Sequence, residues 1–154
     1  MDPVFVFDRT FQFEAPAEVV WQALSDVEQY PRFMPWLRHL EGEIARDAVV
    51  SAVIQAPLPY RLHLSLTMRE VEPQRRVAVD VGEDLVGPAT FTLHPDGDGR
   101  CRVHLEWEVE AHERLLRRAG RYGRPLVMWA HDRVVASGFD RFRRLVETDG
   151  YVAD

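Results

Sequence analysis

The sequence predicts an α+β fold in which a curved, seven-stranded antiparallel sheet wraps around one long C-terminal helix, with two short helices after the first strand. Three observations predict it. β-forming residues at 4–13 precede a stretch with helical spacing. Apolar and polar residues then alternate from 37 to 111, which is typical of antiparallel strands with one buried face. Finally, one apolar stripe at helical spacing extends from 125 to 148.

Composition indicates one globular domain over residues 1–154. The hydrophobic fraction is 46% and the charged fraction 29%, which excludes a wholly disordered chain. The single cysteine, Cys101, excludes an intrachain disulfide and a cysteine-based metal site, so we expect a cytoplasmic protein. No secretory signal and no membrane-spanning run is found. A net charge of −6 argues against broad binding of nucleic acid, and we predict no specific nucleic-acid partner.

The two short helices are predicted from local signals. Pro16 suits the first position of the first helix, because its missing N–H is not needed there. Ser25 followed by Glu28 has the spacing of a capping box, which indicates a second helix starting at residue 25. Pro31 and Pro35 are expected to end that helix.

Strict alternation identifies the inward face of the sheet, and polar or glycine-rich stretches identify the turns. The predicted turns are Arg46–Asp47, Ala56–Pro59, Glu72–Gln74, Gly82–Pro88 and Asp96–Gly99. The inward positions of the four clearest strands are Leu62, Leu64, Leu66, Met68, Val77, Val79, Val81, Phe91, Leu93, Val103, Leu105, Trp107 and Val109.

A sheet of this width predicts an internal cavity. One helix about 10 Å wide cannot fill the trough of seven curved strands, so an apolar space should remain between them. Such cavities bind apolar ligands. The predicted ligand-binding residues are Tyr30, Trp36, Leu64, Leu66, Val79, Phe91, Leu105, Trp107, Met128, Trp129, His131 and Val135.

The segment FEAPAEVVWQALSDVEQYPRFMPWLRHLEG resembles the opening of the START-like superfamily, in particular its polyketide cyclase/dehydrase and coenzyme-Q-binding branch. The matching features are Ala-Pro-Ala-Glu-x-Val-Trp at 15–21, Asp26-Val27, Tyr30-Pro31 and Phe33-x-Pro35-Trp36. Residues 87–91 depart from the branch, since they lack the tryptophan of its Gly-x-Trp-x-Phe pattern. The resemblance implies a helix-grip fold over residues 4–148. It implies a carrier of lipid, isoprenoid or polyketide-like molecules, an aromatase/cyclase or a ribosome-associated protein. Trp129-x-His131-Asp132 is similar to a stretch in actinobacterial members.

His131 is the candidate catalytic residue, because it lies on the inward stripe of the last helix and imidazole exchanges protons near neutral pH. The enzymatic alternative is a polyketide-type cyclase or dehydratase that uses His131 as acid or base. None of the inward strand positions is ionisable, which favours binding over catalysis and leaves enzyme activity an open question. No histidine pair has metal-ligand spacing, so we predict no metal, and we expect no cofactor.

One end of the sheet is expected to form the mouth of the cavity. Its loops carry apolar residues at positions that are usually polar, and the predicted rim consists of Leu58, Leu85, Val86 and Leu115. The neighbouring segment Glu113–Arg124 holds five arginines and a single glutamate. Its basic patch, Arg117, Arg118 and Arg121, suggests transient contact with an anionic membrane or an acidic ligand headgroup. A third alternative is an interaction module in which this patch contacts ribosomal RNA.

Overall fold

The computed structural model of the chain describes residues 4–34, 36–55, 61–112 and 124–147, and for residues 124–131 it describes the backbone alone. Two α-helices and one 3₁₀ helix accompany seven strands. The helices are α1 (Ala17–Ser25), a 3₁₀ helix (Val27–Arg32) and α2 (Arg124–Glu147). The strands are β1 (Val4–Phe13), β2 (Leu37–Glu41), β3 (Val49–Gln55), β4 (Arg61–Glu72), β5 (Arg76–Glu83), β6 (Leu85–Pro95) and β7 (Cys101–Ala111).

The seven strands form one antiparallel sheet in the order β1-β7-β6-β5-β4-β3-β2. The first strand therefore pairs with the last one, while strands two to seven form a meander. A register shift interrupts the β4–β5 pairing between Met68 and Glu70, and another interrupts the β2–β3 pairing between Leu37 and His39. Such bulges increase local twist and bend the sheet. The curved seven-stranded sheet and the C-terminal helix confirm the predicted fold class.

The inward face of the sheet agrees with the alternation in the sequence. Along β5, Val77, Val79 and Val81 are buried, whereas Ala78 and Asp80 on the other face are half-exposed. Every apolar residue assigned to the inward face of β4 to β7 has this parity. The period-two pattern therefore predicted correctly which face of the sheet each of these side chains occupies, because successive Cβ atoms of a strand point to opposite sides.

The C-terminal half of α2 closes one end of the sheet. The ring of Phe139 stacks on Phe11 of β1 with centroids 4.1 Å apart, and Phe142 meets the edge of Phe13 at 5.3 Å. The guanidinium group of Arg143 donates to the carbonyl oxygen of Gln12, which ties the helix to the same strand. This solid cluster contains buried Val103 and Leu105 of β7 as well.

A second cluster of buried residues lies on the inward face of β3 to β6. It includes Val50, Leu64, Met68, Val79 and Ala89. The packing of α2 is against β1 and α1, and α1 approaches β6 and β7.

Three predictions about the short helices are wrong in detail. Pro16 is the residue before α1 rather than its first helical residue. The expected capping box does not form, because Ser25 is the last residue of α1 and Asp26 precedes the 3₁₀ helix without a side-chain cap. Pro31 lies inside the 3₁₀ helix rather than ending it. Because the 3₁₀ helix begins at Val27, Ser25 is still part of α1 and cannot serve as the residue that caps the second helix.

The predicted turn Gly82–Pro88 is also wrong. Only Asp84 separates β5 from β6, and Glu83 before it has a φ of 77°. Gly87 and Pro88 belong to β6, where Gly87 has a φ of 154° and an added Cβ would lie 2.0 Å from the carbonyl oxygen of Glu108. Gly87 and Pro88 have no partner in the β6–β7 ladder, although the register is the same on both sides of them. Glycine is therefore required by a close backbone approach within the sheet, not by a loop.

Among the described residues, no helix combines the length and the apolarity needed to cross a membrane.

Candidate functional site

An apolar cavity of about 380 Å³ lies between the inward face of the sheet and the helices. All seven strands contribute side chains to its wall, and so do α1, the 3₁₀ helix and α2. A pocket of this volume falls within the ordinary range for small-molecule sites.

The sheet side of the cavity consists of aliphatic and aromatic side chains. They come from alternate positions of each strand, which is why a single strand contributes several. The sheet-side wall contains Phe5, Leu40, Val50, Ile54, Leu62, Leu64, Leu66, Met68, Val77, Val79, Val81, Leu85, Ala89, Phe91, Leu93, Trp107 and Val109, with Ile44 from the β2–β3 connection. None of them carries a formal charge, so the described wall does not offer compensation to an ionised ligand.

The helical side of the cavity is built by the α1–3₁₀ segment and by the middle of α2. Its residues are Trp21, Leu24, Ser25, Val27, Tyr30, Met34, Val134 and Val135. The apolar members recur at helical spacing, so the same amphipathicity that attaches these helices to the sheet also lines the cavity.

Tyr30 places a hydroxyl group at this wall. Its Oη donates a hydrogen bond of 2.6 Å to the carbonyl oxygen of Leu24, near the C-terminus of α1. Burial raises the pKa of Tyr30 above its ordinary value, because the phenolate is poorly solvated there. Tyr30 is therefore a neutral hydrogen-bonding group at neutral pH.

Ser25 supplies the second hydroxyl of the described wall. Its Oγ is buried and makes no hydrogen bond within the part of the chain that the structure describes. Ser25 was predicted as a helix cap and not as a site residue. The sequence contains no signal for its actual place, because a residue at the end of α1 becomes part of the cavity wall only through the tertiary packing of α1 and the 3₁₀ helix.

Seven of the predicted ligand-binding residues line the cavity. They are Tyr30, Leu64, Leu66, Val79, Phe91, Trp107 and Val135. Leu105 has the same inward parity but is 1% exposed within the solid cluster under α2, and it is absent from the cavity wall. Trp36 is half-buried and also absent from that wall. The side chains of Met128, Trp129 and His131 lie outside the described residues.

Two of the four predicted rim residues lie among the described residues. Leu85 lies on β6 and lines the cavity, whereas Val86 has the opposite parity and is 40% exposed. Leu58 and Leu115 lie outside the described residues. So does the basic patch of Arg117, Arg118 and Arg121.

Several wall residues were missed by the sequence reasoning. Val50 and Ile54 have the period-two spacing that identified the other strands, and this spacing could have found them. Trp21 and Leu24 lie on α1, where helical spacing predicts burial but cannot distinguish a packed interior from a cavity wall. Phe5 lies on β1, where it pairs with Val109.

A polar cluster on the outer face of the sheet is separate from the cavity. The ring nitrogen of His104 lies 2.6 Å from a carboxylate oxygen of Asp8 and 3.9 Å from Glu106. The three side chains could supply metal-ligand atoms within 4.8 Å of one another. Asp8 is 63% exposed, so the contact is an ordinary surface pairing of small energetic value.

The sequence matches the family described as polyketide cyclase / dehydrase and lipid transport over residues 5–147. The chain belongs to this family. The match confirms the resemblance to the polyketide cyclase/dehydrase branch, and it supports a role in binding a hydrophobic ligand or in cyclase chemistry. No curated protein matches the sequence significantly.

Solved structures of this superfamily share the fold. The Zhui aromatase/cyclase of a Streptomyces species superposes with a TM-score of 0.74 at 17% identity, covering 97% of this chain and 99% of that chain. A Thermus thermophilus protein gives 0.77 at 19% identity, with coverage of 96% and 100%. A START superfamily protein of Mycobacterium smegmatis gives 0.71 at 14% identity, with coverage of 92% and 97%. At these identities the similarity establishes the helix-grip fold alone.

Proposed function

We propose that this protein binds an uncharged, apolar small molecule in the cavity and holds it without transforming it. The observation that carries the proposal is the chemistry of the described wall, which consists of hydrocarbon and aromatic side chains with two hydroxyl groups. Apolar ligands gain free energy roughly in proportion to the area they remove from water. An apolar wall also binds water poorly, since a buried water molecule needs two to four polar hydrogen-bonding partners.

The volume of the cavity limits the size of the ligand. An apolar protein cavity of about 150 Å³ accommodates one benzene molecule. The volume of about 380 Å³ thus corresponds to a skeleton of roughly two to three fused rings, or to an aliphatic chain of similar bulk. Lipid, isoprenoid and polyketide-like molecules contain skeletons of this size, and the family description includes lipid transport.

The enzymatic alternative depends on His131. Its backbone lies four residues before Val135, which lines the cavity from the same helix. The described wall contains no carboxylate, histidine or lysine that could exchange a proton at neutral pH. A wall of this composition is sufficient for a carrier, and this is the reason for proposing binding over cyclisation.

Binding can be measured with the uncharged fluorophore N-phenyl-1-naphthylamine, whose emission rises in apolar surroundings. We expect saturable binding to one site. Replacing Ala89 by Phe should weaken it at least tenfold, because Ala89 lies in the cavity wall and a phenyl ring there takes ligand volume. Ala78 on the adjacent strand faces the opposite side of the sheet, so Ala78→Phe is the matched control and should bind as the wild type does.

Two results would contradict the proposal. One is the absence of saturable binding by the folded wild-type protein. The other is equal weakening by Ala89→Phe and Ala78→Phe, which would show that the fluorophore occupies a place other than the cavity. Turnover of a polyketide substrate that disappears in His131→Ala, with fluorophore affinity unchanged, would instead establish the cyclase alternative.

A further inference from the structure

Ser25 is a buried hydroxyl group in the wall of an apolar cavity. It is the last residue of α1, and its Oγ makes no hydrogen bond to any described residue. A serine in a helix usually satisfies its hydroxyl by donating to the carbonyl oxygen one turn earlier. For Ser25 that acceptor would belong to Trp21, and this bond is not formed. A buried hydroxyl without a partner is unfavourable, so a group that supplies one gains affinity.

Tyr30 makes the same part of the wall polar. Its hydroxyl hydrogen is used in the 2.6 Å bond to Leu24, the residue before Ser25. The oxygen of Tyr30 keeps lone pairs that can accept. The two hydroxyls of the described wall therefore belong to one short stretch of chain, residues 25–30, while the sheet side of the wall is hydrocarbon and aromatic.

We propose that the ligand carries a carbonyl or hydroxyl oxygen that accepts a hydrogen bond from Ser25, with its apolar skeleton lying against the sheet. The inference rests on the proposed function and specifies its ligand. Ser25 belongs to the cavity wall but its Oγ is itself buried, so this bond requires a rotation about Cα–Cβ that presents Oγ to the ligand. A carboxylate or amine does not fit, because the described wall contains no opposite charge to compensate it.

A pair of probes differing by one oxygen tests the inference. Tetralin is a two-ring hydrocarbon, and 1-tetralone is the same skeleton with one carbonyl group. Their affinities are measured by displacement of N-phenyl-1-naphthylamine from the wild type, Ser25→Ala and Ser25→Thr. We expect Ser25→Ala to weaken 1-tetralone about fivefold, the usual value of one neutral hydrogen bond, and to leave tetralin unchanged. Ser25→Thr keeps the hydroxyl and should retain most of the affinity for 1-tetralone.

The outcomes separate this inference from the proposed function. If tetralin and 1-tetralone are weakened equally by Ser25→Ala, the substitution acts through packing and the inference is overturned. If neither is weakened, Ser25 does not bond the ligand and the inference is again overturned, while the cavity remains a binding site. If the wild type binds neither the fluorophore nor the probes, the proposed function is contradicted as well. Thermal unfolding of each variant verifies folding, and Ser25→Ala should be no less stable than the wild type, since alanine favours helix.

Discussion

Tyr30 links the 3₁₀ helix to the end of α1 through a hydrogen bond of 2.6 Å from its hydroxyl to the carbonyl oxygen of Leu24. The last four carbonyl groups of an α-helix have no partner within the helix. Leu24 is the penultimate residue of α1, so its carbonyl is one of them. The bond joins the two helical pieces that form one side of the cavity, and it makes Tyr30 important for both stability and cavity shape.

Replacing Tyr30 by Phe should destabilise the protein by about 1–3 kcal/mol. The substitution keeps the ring, whose centroid lies 4.9 Å from that of Phe33, but leaves the carbonyl of Leu24 without its partner. Urea unfolding followed by circular dichroism measures the difference. An unchanged unfolding midpoint would show that this carbonyl is satisfied in another way.

The pH dependence of stability provides a second test of Tyr30. Its pKa is raised by burial, so above about pH 10 the unfolded chain loses a proton that the folded chain retains. The contribution of Tyr30 to the free energy of unfolding is complete below about pH 10. At higher pH it decreases, by at most about 1.4 kcal/mol per pH unit. Burial also raises the pKa of Cys101, so the comparison must be made with Tyr30→Phe, which retains Cys101. Urea unfolding between pH 8 and 11 should show a shallower decline in the variant, and parallel declines would contradict the prediction.

Gly87→Ala should destabilise the protein by at least about 2 kcal/mol. Its backbone lies in a region that favours glycine, and an added Cβ would meet the carbonyl oxygen of Glu108 at 2.0 Å. Gly99 is the matched control, because an added Cβ meets no atom within 4 Å there. Gly99→Ala should change stability by less than about 1 kcal/mol. Similar melting temperatures for the two variants would show that the backbone at Gly87 moves away from Glu108 at little cost.

Leu105→Ala and Leu66→Ala are chemically identical changes at two inward positions. Leu105 is 1% exposed in the solid cluster, so its truncation should cost about 2–5 kcal/mol. Leu66 is only half-buried and already borders the cavity, so its truncation removes fewer contacts and should cost less. Affinity for N-phenyl-1-naphthylamine should change more in Leu66→Ala than in Leu105→Ala, because Leu66 borders the cavity. Equal effects on both quantities would argue that the two positions have similar surroundings.

The fold was largely predictable from local patterns. Alternation along Val77–Val81 and Val103–Val109 assigns each side chain to a face, because strand geometry has a period of two residues. The stripe of Val135, Phe139, Phe142 and Val146 likewise assigns one face of α2. Prediction failed where a strand contains turn-forming residues. Gly87 and Pro88 have the composition of a loop, yet β6 includes them, because they pair with Val81 and Asp80 of β5 while the β6–β7 register is the same on both sides of them.

The sequence by itself determined which side chains face inwards, and the tertiary structure decided which of those pack and which enclose a cavity. Leu66 and Leu105 have the same parity and the same chemistry, so no pattern in the sequence distinguishes them. The difference arises because α2 packs on β1 over the solid cluster, whereas the inward face of β3 to β5 borders the cavity. The place of Ser25 has the same kind of origin. In the sequence, Ser25 has the pattern of a helix cap. In the structure it is the last residue of α1, directly before the 3₁₀ helix, and it lies in the cavity wall.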